Sequence, residues 1–426
     1  RFFSKSDIVM EWWQHILPIQ GAESKDELLK DISYQNKKKS VKLSIDGPDP
    51  EKTDQVMLIR KRLSRIFFLR SFFDYPITMN KGTLSNLGFI RIVKIAWTYL
   101  RIKIFPVKKI KSLEDFFISR FGTELYKTFF KDYTKKVWGV PCSEIGADWG
   151  AQRIKELSVS RAIAHAIKTM FKKEISIEQK NTDTSLIDRF MYPKLGPGQM
   201  WETVARIVEE KGATIIKNSD VIGMDLFENE ITGISYFNHA TNSKDVLNGD
   251  YYFSTMPVKE LIAAMGDKVP PSVKEVSDGL QYRDFITVGL LLNKLKIKNG
   301  TNTSTINELV PDNWIYIQEK DVKIGRLQIF NNWSPYMVAD IEKVWIGLEY
   351  FCNEGDELWE MADDDFIKFA IDELHQIDII DRNEVIDQTM IRVPKTYPAY
   401  FGSYQQFDVV KDFTNQFENL FLIGRN

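Results

Sequence analysis

The sequence predicts a mixed α/β fold built from discontinuous domains, and three observations carry that expectation. Helix-rich and strand-rich blocks alternate along the chain instead of segregating, the pattern of domains that collect segments from several parts of the sequence. The 426 residues suffice for two or three domains. A hydrophobic content of 43%, with 13% aromatics, is enough for sizeable cores, and 57 Lys and Arg against 59 Asp and Glu leave the chain near neutral. That balance argues against a globally basic nucleic-acid binder and against an acidic disordered chain. The sequence shows no internal repeat and no low-complexity tract.

The elements follow in order. Ser6 and Asp7 are placed to start a helix through Ile8, Val9, Trp12, Trp13 and Ile16, and Pro18 ends it. Residues 35–50 are polar and turn-rich and read as an exposed loop. From residue 55 to 111 about 13 Lys and Arg face one acid, Asp74, and are interleaved with aromatics; the expectation is a basic, mostly helical region. Ser112, with Glu114 and Asp115 behind it, starts a helix, and helix continues to about Phe130. Further helix is expected over 151–172 and a polar loop over 179–183. Gly196-Pro197-Gly198 opens an amphipathic helix, 199–211, with Trp201, Val204, Ile207 and Val208 on one side, and Gly212 closes it. Strands are expected at 213–216, 221–226, 231–237 and 251–255, then a helix from Pro257. Strand-like runs return at 287–292, 314–318, 327–330 and 344–350, followed by a helix over 363–375 and a run at 385–392.

Among chemical signals, the sequence has no nucleophile elbow, zincin motif, Walker loop or Gly-x-Gly-x-x-Gly fingerprint. Cys142 and Cys352 are too few and too far apart for a disulfide framework, and they read as structural thiols. Asp363-Asp364-Asp365 is a helix start favoured by capping and the helix dipole, so no metal is expected. The longest apolar stretch, 87–105, is interrupted by Arg91, Lys94, Arg101 and Lys103 and should not span a bilayer. No signal peptide is visible, and the expected location is cytoplasmic. The basic aromatic region 55–111 reads first as a solvated helix face with apolar residues inward; peripheral contact with an anionic membrane surface and binding of a phosphate-bearing substrate or of nucleic acid are the alternatives. The richest segment runs from Phe129 to Pro141. It suits a pocket wall in which Tyr133 and Trp138 stack a planar group while Lys135 neutralises a phosphate, and equally suits a hydrophobic helix end followed by a turn.

This segment resembles the tyrosine, threonine, lysine, tryptophan and glycine motif of UDP-galactopyranose mutases, carried here by Tyr133, Thr134, Lys135, Trp138 and Gly139. Other pieces resemble the wider superfamily of FAD-dependent amine oxidases, protoporphyrinogen oxidases and phytoene desaturases. Tyr192-Pro193-Lys194 with Gly196, Gly198 and Gln199 is similar to the segment that returns to the FAD domain. Ser254-Thr255-Met256-Pro257 is similar to the strand that closes it, and Asn419 to Arg425 resembles its C-terminal strand. Arg1-Phe2-Phe3-Ser4 resembles the flavin-side turn after the first βαβ unit, so the glycine-rich loop is expected upstream of residue 1 in a chain trimmed at both ends.

The resemblance implies an α/β flavoprotein: a Rossmann-like FAD domain lacking its first βαβ unit (1–20, 190–280 and 395–426) and a mixed helical and β-sheet substrate domain (21–189 and 281–394). It implies FAD held by Arg1, Phe2, Val221, Gly424 and Arg425. Tyr133, Lys135 and Trp138 would be catalytic, and Arg326, Tyr397 and Tyr400 would bind a substrate such as a UDP-sugar. The implied activity is mutase-like, with ring opening and reclosure on reduced flavin and no net redox change. Two alternatives are hydride transfer from an apolar or amine substrate to FAD, and a flavin-free binding module of the Rab GDP-dissociation inhibitor type.

Overall fold

A computed structural model of the chain describes residues 2–27, 46–77, 80–147 and 189–424. Arg1 and Arg425, the expected helix over 151–172 and the polar loop at 179–183 lie outside the described residues. The strands are β1 (Met57–Lys61), β2 (Ser64–Phe68), β3 (Ser71–Asp74), β4 (Arg189–Pro193), β5 (Ser219–Phe227), β6 (Glu230–Asn238), β7 (Ser243–Leu247), β8 (Tyr252–Ser254), β9 (Tyr282–Leu292), β10 (Trp314–Ile317), β11 (Arg326–Ile329), β12 (Val344–Cys352), β13 (Val385–Pro398) and β14 (Leu420–Leu422).

Seven of them make the largest sheet, in the order β13-β9-β12-β11-β10-β2-β3. Every pairing is antiparallel except that of β10 with β2. Side chains alternate across a strand, and the two faces of this sheet differ accordingly. Ile315, Ile317, Leu327 and Ile329 face a core closed by Phe366, Ala370 and Leu374 of helix Asp363–Gln376. Fully burying each large side chain there is worth about 1.5–3 kcal/mol. Helices Leu113–Phe121, Thr123–Phe129 and Lys131–Trp138 cover the β2 and β3 end from the opposite side, where Ile66, Phe68 and Phe73 meet Phe116, Phe129 and Trp138. Cys142 and Cys352 are buried, unbridged thiols in these two cores.

Three smaller sheets complete the described fold. β1 and β4 pair antiparallel, and Phe2 adds a bridge to Met191. β5, β6 and β7 form an antiparallel meander. β8 and β14 pair in parallel, and the Asn419 side chain ties the start of β14 to Ile231 on β6 through bonds of 2.9 and 2.8 Å.

Three expectations are corrected. The region 55–111 is not mostly helical. Its first part is β1, β2 and β3: on β2, Ile66 and Phe68 enter one core with Phe73 of β3 while Phe67 between them enters the other, the alternation of a strand buried on both faces. Three of its cations enter ion pairs: Arg60 with Asp26 (2.9 Å), Arg65 with Asp312 (2.6 Å) and Arg70 with Asp321 (2.6 Å). Residues 213–216 form no strand; they cross the surface between Gly212, at φ +94°, and β5. In helix Pro197–Glu210 the buried positions are Gln199, Met200 and Thr203, while Trp201 is 56% exposed and lies 6.2 Å from Trp12. Gln199 turns inward because its amide oxygen accepts from Leu195 N–H (2.9 Å) and its amide nitrogen donates to Asp54 O.

The start signal at Ser112 is realised as a capping box. Its hydroxyl accepts from the Asp115 N–H (3.1 Å), and the Asp115 carboxylate accepts from the Ser112 N–H (3.0 Å).

Candidate functional site

Helix Lys131–Trp138 is short, and its C-terminal end is held by a tertiary partner. Gly139 closes it in the left-handed conformation, at φ 76°. A Cβ there would come within 3.0 Å of the Arg283 guanidinium, which donates from Nε to Val137 O (3.0 Å) and from Nη1 to Asn353 Oδ1 (2.7 Å). A cation against the last carbonyls also complements the helix dipole.

The helix phase decides which motif side chains meet the sheet. Tyr133 and Lys136 are three residues apart and share the inner side. The ring of Tyr133 meets that of Tyr316 edge-on at 5.9 Å, and burial pushes its phenol well above the ordinary tyrosine range, so it stays protonated. Lys136 Nζ donates to the carbonyls of Ile317 (3.2 Å), Glu319 (2.9 Å) and Ile324 (3.0 Å), and burial brings its pKa down to about 8 against the opposing pull of Glu373 and Glu319. Lys135, singled out in the sequence, is exposed. Trp138 is only 7% exposed and packs its ring edge-on against Tyr397 and Phe401, at 6.5 Å from each.

Beneath this helix, register aligns Tyr316 on β10, Arg326 on β11 and Glu349 on β12 in one row across the sheet. Arg326 is the centre of the cluster. Its Nη2 donates to Tyr397 Oη (2.8 Å) and pairs with the Glu349 carboxylate, and Gln328 Nε2 donates to the other Glu349 oxygen (2.6 Å). The guanidinium lies over the rings of Trp314 (4.7 Å) and Phe351 (4.8 Å). Burial works against its charge, but Glu349, helped by Tyr133 and Tyr397, outweighs this and holds its pKa above the ordinary value. Trp314 stacks on Tyr316 at 6.2 Å, and Tyr316 meets Tyr75 at 4.7 Å. Two N–H donors of the cluster, Trp314 Nε1 and Arg326 Nε, are buried without an acceptor.

The structure thus brings together Tyr133, Arg326 and Tyr397, with Trp138 behind Tyr397. The other expected residues lie elsewhere. Tyr400 follows β13 with its ring 4.9 Å from Tyr404. Val221 sits half-buried in β5, paired with Tyr236. Phe2 packs with Leu17, Met57, Met191 and Met200, its ring edge-on to Trp13 at 5.2 Å. Gly424 follows β14 in the left-handed region, at φ +101°. Sequence reasoning missed Glu349, Trp314, Tyr316 and Lys136. A lone acid inside the apolar run Val344–Cys352 was a readable signal for Glu349; the others become visible only once register and helix phase are known.

No protein-family model matches the chain. Solved structures share its fold. A reduced UDP-galactopyranose mutase superposes with a TM-score of 0.67 at 17% identity, covering 86% of this chain and 73% of the mutase. A proposed protoporphyrinogen oxidase from Exiguobacterium sp. 255-15 gives 0.55 at 12% identity, covering 86% of this chain and 76% of its own. An oxidoreductase from Methanosarcina mazei gives 0.50 at 12%, covering 87% and 77%. The α/β fold expected from the sequence is therefore the one these proteins have.

Proposed function

We propose that the protein is an FAD-dependent enzyme of the UDP-galactopyranose mutase type, acting on a nucleotide sugar between helix Lys131–Trp138 and the seven-stranded sheet. The observation that carries this reading is the pair of buried donors without acceptors, Trp314 Nε1 and Arg326 Nε, in the cluster where the Arg326 guanidinium lies over the Trp314 ring and donates through Nη2 to Tyr397 Oη. A buried donor left unpaired costs about 1–3 kcal/mol, so a ligand rich in oxygen acceptors is favoured there over an apolar one. Tyr133 keeps its proton and serves as a donor. Arg326 reaches a diphosphate by turning from Glu349, with which its guanidinium is paired.

The residues present also fit a flavin nucleotide. β8 and β14 are parallel, and ligands of open α/β sheets bind beyond the carboxyl ends of such strands. At those ends Ser254 Oγ is buried without a partner, and a Cβ added to Gly424 would find only the Thr255 Cβ, at 4.0 Å, so a flat group can approach the backbone. Gly424 and the Ser254–Thr255 segment are the groups that would hold it. When bound, the flavin supplies a nucleophilic nitrogen or a hydride acceptor according to its redox state.

A second reading, hydride transfer from an apolar or amine substrate, is favoured by the neutralisation of Arg326 by Glu349 and by the aromatic lining. UDP binding to the flavin-loaded protein separates the two. In the mutase reading UDP binds, and Arg326→Lys or Tyr133→Phe weakens it at least tenfold; if UDP does not bind, or binds both variants equally well, that reading is wrong.

A further inference from the structure

Helix Phe89–Ile104 carries large apolar side chains on two sides, which a water-soluble surface helix has no reason to do. Its inner side is held by the fold. Ile95 is buried with the aromatic core, and Thr98 Oγ1 accepts from Glu124 N–H at 3.2 Å. Gly122 passes so close that a Cβ there would come within 2.9 Å of Tyr99 N. The outer side carries Phe89 (80% exposed), Ile90, Val93, Trp97 (68%), Leu100 and Ile104. At 100° per residue these six fall within about 100° of arc, a continuous stripe. Lys94 and Arg101 border the stripe on one side and Lys103 on the other, and Lys108, Lys109 and Lys111 follow the helix. The sequence holds no acid between Asp74 and Glu114. Among the described residues no ion pair involves Arg91, Lys94, Arg101 or Lys103, in contrast to the paired cations of β1 and β2.

We propose that this helix docks the protein on an anionic membrane surface, lying in the plane of the interface with the stripe among the acyl chains and the flanking cations at the headgroups. A tryptophan in the middle of the stripe suits the interfacial zone. The charge pattern selects lipid over a second copy of the chain, since two such faces would bring like charges together. No helix among the described residues is long and apolar enough to cross the bilayer.

The test is co-sedimentation of the purified protein with vesicles of phosphatidylcholine, alone and mixed with phosphatidylglycerol, at low and raised salt. Binding is expected to the mixed vesicles and to weaken with salt. Replacing Lys94 and Arg101 together by Gln should lower the partition coefficient roughly 25-fold, about fivefold per cation. Val93→Asp with Leu100→Asp should abolish binding and leave the melting temperature unchanged, because both side chains are exposed. Failure to bind the mixed vesicles would overturn the proposal. So would a lowered melting temperature in the Asp variant, which would mean the chain covers its own stripe, or a wild-type dimer that the Asp variant splits.

Discussion

Replacing Glu349 by Gln keeps the shape of the side chain and removes one charge from a pair that is nearly closed to solvent. Glu349 is 5% exposed, and the side chain of Arg326 is 13% exposed. Breaking a buried pair from one side leaves an uncompensated charge, which costs roughly 3–5 kcal/mol. Three features of the site place the expected value near the lower end. The guanidinium keeps its stacking on Trp314 and Phe351, its bond to Tyr397 survives, and the Gln carbonyl can still accept from it. Glu349→Gln should therefore lose about 3 kcal/mol in urea denaturation at neutral pH. Arg326→Met combined with Glu349→Leu should recover most of that loss, since no buried charge remains. If Arg326 is the diphosphate site, UDP at about 100 times its Kd returns about 2.7 kcal/mol to Glu349→Gln. A Glu349→Gln protein as stable as wild type would refute the reasoning, because the pair would then be solvated rather than buried.

Lys136 supplies a pH-dependent counterpart. Its pKa falls from 10.5 to about 8 on folding because of burial, so between those values the unfolded chain binds the extra proton. Stability should rise with pH across that window, by about 3 kcal/mol relative to Lys136→Met, when the two proteins are compared by denaturation at successive pH values. Ser112→Ala removes one half of the capping box and should cost about 1 kcal/mol, read from the same curves. Gly347→Ala would set a Cβ 2.6 Å from the Phe330 ring and should destabilise by about 1–3 kcal/mol, with recovery in Gly347→Ala combined with Phe330→Leu.

Elements whose signals are local were legible in the sequence. The capping residues at Ser112, the glycine stop at Gly212 and the apolar runs of β9 and β12 each follow from a few neighbouring residues, and the structure has them within a few positions. The basic region misled because its charge pattern resembled an exposed helix, whereas Arg60, Arg65 and Arg70 answer acids outside it, two of them some 250 residues away. The site was half legible for the same reason. Tyr133, Arg326 and Tyr397 stood out by type, but the pairing of Arg326 with Glu349 is a matter of strand register. The choice between Lys135 and Lys136 turns on a helix phase of one residue, set by where Lys131–Trp138 begins. Neither the register nor the helix start could be fixed from residue types alone.

The most direct test of the flavoenzyme account is an absorption spectrum of the purified protein after incubation with FAD and gel filtration, taken before and after dithionite and then during titration with UDP. The account expects oxidised-flavin bands that bleach on reduction and a spectrum that shifts on adding UDP. Flavin bands indifferent to UDP would point to the hydride-transfer reading, and a colourless protein that takes up no FAD would contradict the account and favour the flavin-free binding module.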